Sequence, residues 1–127
     1  MITKRAQLAL AADLVAVIAF VAIGRRSHDE PGNVLVGVAK VAAPFLIAVI
    51  VGWFVSRAWR NPLSNATGAI VWLTTVIVGL LLRRFAFDRG TATAFVIVTT
   101  TTVAAFILGW RGIARWRLAT SEQPPRD

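Results

Sequence analysis

Arg25-Arg26-Ser27-His28-Asp29-Glu30-Pro31-Gly32 aligns without a gap on Arg83-Arg84-Phe85-Ala86-Phe87-Asp88-Arg89-Gly90, and these two stretches decide how the chain folds. Further along, Gly52-Trp53 followed by Trp59-Arg60 is answered by Gly109-Trp110 followed by Trp116-Arg117, with one residue fewer between the glycines. Each copy, about 57 or 58 residues long, holds two apolar runs. The pattern therefore reads as two tandem helical hairpins, hairpin one over about 6–56 and hairpin two over about 61–110.

The runs between these landmarks set the environment. Ala6 to Gly24 is interrupted only by Asp13, Gly32 to Ser56 only by Lys40, and Asn61 to Leu82 and Gly90 to Trp110 carry no interior charge. At 1.5 Å per residue each can cross a hydrocarbon layer roughly 30 Å thick. With no water to satisfy an exposed backbone there, runs of this length must be helical. A hydrophobic content of 57% and a mean hydropathy of +0.68 agree. The connections are short, so neighbouring helices run antiparallel. The expected fold is all-α: a polytopic membrane protein with four transmembrane helices in an up-down-up-down bundle. One transmembrane domain over 1–119 is followed by a short disordered cytoplasmic tail over 120–127 that contains Pro124-Pro125.

The net charge of +8 is a topology signal rather than a nucleic-acid footprint, because the cations flank the spans. Lys4, Arg5, Arg57, Arg60, Arg111, Arg115, Arg117 and Arg126 fall at one end, and Arg25, Arg26, Arg83, Arg84 and Arg89 at the other. The larger group marks the inner side. The expectation is a multi-pass protein of the cell (inner or plasma) membrane with both termini cytoplasmic. Trp53, Trp59, Trp110 and Trp116 fall at that same boundary, where indoles anchor at headgroups. Lys4-Arg5 before an apolar run imitates a signal peptide, but Asp13 interrupts the run and Arg25-Arg26 follows the apparent cleavage site. The segment Arg111 to Arg117 reads as a basic interfacial turn.

Asp13 is the leading candidate for chemistry. A carboxylate deep in a span is costly unless it holds a proton or finds a cation, and it shares a helix face with Ala9 and Ala16. Thr74, Thr75, Thr99, Thr100, Thr101 and Thr102 fall at a corresponding depth, so the expectation is a mid-membrane polar layer that binds a proton or cation. Lys40 is a second intramembrane charge. Helical rise and side-chain lean keep it from a direct bond to Asp13 and favour snorkelling to the outer headgroups. Neither charge has a counterpart in the second hairpin. At the outer end, Arg25, Arg26, His28, Arg83 and Arg84 are candidate contacts for lipid phosphate or an anionic solute. Small residues at Ala9, Ala12, Ala16 and Ala19, and at Ala48, Gly52 and Ser56, suit helix packing within the chain, in a homo-oligomer or in a larger membrane complex.

No enzymatic reading stands: Ser27, His28 and Asp29 are adjacent on a turn and do not converge as a triad. A lone histidine and no cysteine leave no metal or thiolate site, so no catalytic residue, metal or cofactor is expected. The partners expected are the bilayer and other membrane proteins, with no nucleic acid.

With Asp13 in the first span and Gly24-Arg25-Arg26-Ser27-His28 at its exit, the chain resembles a family of small prokaryotic four-helix membrane proteins, domain of unknown function 3054. The resemblance covers roughly Leu8 to Trp110 and implies the four-helix fold without an activity or a site. Two functions therefore stand as expectations. One is a small proton- or cation-coupled carrier, or transporter accessory subunit, working through Asp13; there Asp13→Asn abolishes transport and leaves folding intact. The other is a structural or interaction subunit of a larger envelope complex without transport activity.

Overall fold

The computed structural model describes residues 3–28, 34–86 and 93–121, and among them every regular element is helical. Helix α1 covers Lys4–His28, α2 Val34–Ser56, α3 Asn65–Leu81 and α4 Thr93–Ser121, with a π-helical turn at Leu82–Ala86 continuing α3. All four helices are long and apolar enough to cross a membrane, over Lys4–Gly24, Leu35–Ser56, Asn65–Ala86 and Thr93–Ala119. Successive helices pack on one another and α1 closes against α4 to complete a four-membered ring.

The helix ends follow local chemistry. Thr3 caps α1, its Oγ1 accepting from the Ala6 N–H at 3.1 Å. Helix α2 stops in a Schellman turn, with the Arg57 N–H reaching the Phe54 carbonyl and the Ala58 N–H the Trp53 carbonyl. Arg57 takes the left-handed position, φ 52°, that glycine usually fills. Ser64 caps α3 by accepting from the Thr67 N–H at 3.0 Å, and the Thr67 hydroxyl donates to the Asn61 carbonyl at 2.8 Å. The α2–α3 connection is therefore tied down at both ends.

Helix α4 departs from the expected outline. It continues through Arg111 to Ser121 without a turn, because Arg111 to Leu118 contains no proline and its one glycine, Gly112, is tolerated inside a helix. The basic segment is a helical extension, and residues 122–127 of the expected tail lie outside the described residues.

Glycines set the closest approaches. A Cβ at Gly52 would lie 3.2 Å from the Val71 Cα and 3.3 Å from the Thr74 Cβ, so α2 and α3 meet there nearly backbone to backbone. Ala48, one turn earlier, is fully buried, which commits the Ala48–Gly52 part of the small-residue stripe to packing within the chain. Towards the opposite end a Cβ at Gly79 would collide with the Phe45 ring, which fills the notch that the glycine leaves. Phe20 meets Phe45 edge-on with centroids 6.2 Å apart, Phe95 meets it at a 47° tilt with centroids 6.2 Å apart, and the Arg83 guanidinium stacks 4.0 Å from the Phe95 centroid.

Candidate functional site

Asp13 is completely buried, and its partner is Arg111, 98 residues away in the chain. Arg111 Nη1 donates to Oδ1 and Nη2 to Oδ2, both at 2.7 Å, forming a two-pronged ion pair. The Trp110 indole N–H donates to Oδ1 and the Trp53 indole N–H to Oδ2, both at 2.8 Å. Each carboxylate oxygen thus accepts two N–H bonds, the full acceptor capacity of the group. The two indoles are the aligned tryptophans of Gly52-Trp53 and Gly109-Trp110, one on each oxygen.

Arg111 is equally enclosed, at 1% exposure. Its Nε donates to the Pro62 carbonyl at 2.7 Å and Nη1 also reaches the Ile107 carbonyl at 3.2 Å, so four of the five guanidinium N–H groups have acceptors. Space for its stem comes from α3, where a Cβ at Gly68 would lie 2.9 Å from both Arg111 Cδ and Leu108 Cδ2. The pair thereby joins α1, α2, α4 and the α2–α3 connection at one end of the bundle.

The expected polar layer of one acid and several hydroxyls is not assembled. No threonine touches the Asp13 carboxylate, whose four donors are Trp53, Trp110 and the two Arg111 nitrogens. Thr99 to Thr102 lie nine to twelve residues before Arg111 on α4, about 14–18 Å along the helix. Thr100 and Thr101 turn their hydroxyls back onto the Val96 and Ile97 carbonyls, and the Trp72 indole donates to the Thr100 carbonyl. Thr74 is half-buried against Gly52, and Thr102 is half-buried on α4. Thr75 and Thr99 are fully buried with hydroxyls that have no hydrogen-bond partner among the described residues.

The remaining candidates scatter. Lys40 is exposed on the outside of α2 and does not approach Asp13. Arg83 is half-buried over Phe95 and Arg84 is exposed. The side chains of Arg25, Arg26 and His28 fall outside the described residues. The residues missed in the sequence are Arg111, Trp53 and Trp110, all taken for boundary anchors. One signal was present: the hairpin alignment puts Phe54 opposite Arg111, so α4 carries an unmatched base as α1 carries an unmatched acid. Among the described residues no group of three or more histidine, cysteine or acidic residues could hold a metal ion.

Four membrane-length helices pinned at one end by a caged carboxylate–guanidinium pair define a small polytopic membrane protein with an internal ion pair. The chain belongs to the family described as protein of unknown function (DUF3054), whose model matches residues 10–114, a stretch that includes both Asp13 and Arg111. No curated protein and no solved structure matches it.

Proposed function

We propose that the protein is a structural or interaction subunit of a membrane complex, seated in the plasma membrane with both termini cytoplasmic, in which Asp13 is a clasp rather than a transport site. The observation that carries this reading is the saturation of the carboxylate by four N–H donors, two of them from a buried guanidinium. A carrier group must exchange partners during its cycle, and every exchange here would leave a buried cation unpaired, a cost of several kcal/mol. Helix α4 supports a role in assembly: 17% of its spanning window is buried, against 33% for each of the other three. Its outward surface offers Thr101, Ala105 and partly exposed Gly109 at helical spacing, the small-residue pattern on which transmembrane helices pack.

The test is extraction from the native membrane in mild detergent, followed by native gel sizing of wild type and Ala105→Leu. The expected result is a wild-type particle larger than a single 13.7 kDa chain with its detergent. Ala105→Leu is expected to release it, with the Trp53 and Trp110 fluorescence unchanged. Migration of the wild type as a lone chain would overturn the reading.

A carrier is the second reading, favoured by the unpartnered buried hydroxyls of Thr75 and Thr99. It predicts proton or alkali-cation flux in proteoliposomes that Thr75→Val or Thr99→Val removes without loss of fold.

A further inference from the structure

Among the described residues, the Asp13 clasp consumes the one acid and leaves a surplus of cations at its end of the bundle. Asp13 is the sole acid among the described residues, and both of its oxygens are occupied by Arg111 and the indoles. Around it Lys4, Arg5, Arg57 and Arg60 are exposed, and Arg115 is half-buried. Arg115 lies one turn beyond Arg111 on α4, and its Nε is buried without an acceptor among the described residues.

The clasp also fixes the register. Asp13 is nine residues from the start of α1 and Arg111 ten from the end of α4, whereas Trp53 is three from the end of α2. With 1.5 Å per residue, the α1 start and α4 end project about 10 Å beyond the end of α2. Arg115, about 6 Å outward from Arg111, is level with Ala9, one turn before Asp13 on α1. Ala6 and Ala9 share that face and are buried, and their methyl side chains offer no acceptor. The Arg57–Arg60 turn lies at the same end, since Pro62 just after it accepts from Arg111. Arg115 thus sits at the foot of a step formed by two projecting helices and a short basic turn, at the depth where an apolar span gives way to headgroups.

We propose that this step binds the phosphate of one anionic phospholipid, with Arg115 as its principal ligand and Arg57, Arg60 and Arg5 as the surrounding positive field. A phosphodiester oxygen supplies the acceptor that Arg115 Nε lacks among the described residues, and the acyl chains of the same lipid continue along the apolar surface of the bundle. This site is independent of whether the protein assembles with a partner or carries a solute. It also differs from the anion contacts expected at Arg25, Arg26, His28, Arg83 and Arg84, which belong to the opposite end.

The test is native mass spectrometry of the full chain released from micelles containing equal amounts of phosphatidylglycerol and phosphatidylcholine. Wild type is expected to retain one phosphatidylglycerol in preference to phosphatidylcholine, and Arg115→Gln to lower that retention several-fold. Arg115→Lys should keep part of it, and Lys40→Gln, which removes a charge from a distant part of the surface, should leave it unchanged. Equal retention of the two lipids by wild type, undiminished retention by Arg115→Gln, or displacement of the lipid by millimolar inorganic phosphate would overturn the proposal. Should Arg115→Gln fail to fold, wild-type lipid selectivity together with the Arg115→Lys result decides the matter on the same criteria.

Discussion

Asp13 and Arg111 neutralise each other at a depth where neither could stand alone. Removing one charge strands the other, so Asp13→Asn is not the innocent probe that an isolated acid would allow. Its amide retains one oxygen acceptor and turns an –NH₂ towards the indole and guanidinium donors. The expected cost is about 3–5 kcal/mol, the loss seen on breaking a buried ion pair. Asp13→Leu combined with Arg111→Met removes both charges and the desolvation they impose, and should be more stable than either single variant. Thermal unfolding of the four proteins in one detergent measures the cycle, and strict additivity would sink the clasp. This pairing was legible only in halves. The unmatched acid on α1 was visible in the residues, but Arg111 followed a tryptophan at the end of an apolar run and read as a boundary marker.

Between elements, the glycines decide how near the helices come, and two of them separate local from linked effects. Gly79→Ala drives a methyl group into the Phe45 ring, which already packs on Phe20 and Phe95. The expected loss is about 1–3 kcal/mol from overpacking, confined to the end remote from the clasp. Gly68→Ala meets Leu108 Cδ2, a chain end free to turn, and Arg111 Cδ, a mid-chain carbon whose guanidinium is pinned by its bonds to Asp13, Pro62 and Ile107. It is therefore expected to shift the Trp53 and Trp110 emission as well as the melting temperature, while Gly79→Ala moves the melting temperature alone. Equal emission spectra for the two variants would contradict the linkage. The existence of the four helices followed from their apolar lengths. The continuation of α4 to Ser121 did not, because a basic, tryptophan-rich segment has the composition of an interfacial turn and also the propensity of a helix.

At the scale of the whole molecule, the clasp puts the start of α1, the end of α2 and the end of α4 at one end of the bundle, with the π-helical turn after α3 at the other. Single cysteines are simple to read because the natural chain has none. Under the proposed orientation, Arg84→Cys should react with a membrane-impermeant maleimide on intact cells, whereas Arg5→Cys and Arg117→Cys should react only after lysis. Reversal of all three would invert the orientation and keep the fold. Labelling of Arg5→Cys and Arg117→Cys from opposite sides would contradict an even number of crossings.

The sequence by itself determined the membrane environment, the number of spans and their antiparallel order, because an apolar run of bilayer length has one low-energy solution and short connections leave its neighbours little choice. It also singled out Asp13, since an unmatched charge in such a run is conspicuous. Only the tertiary structure decided what that charge meets. Whether Asp13 faces a threonine layer or a guanidinium depends on the relative sliding and rotation of α1 and α4, which lie at opposite ends of the chain. A slide of about three helical turns would exchange one partner for the other while leaving every local pattern intact.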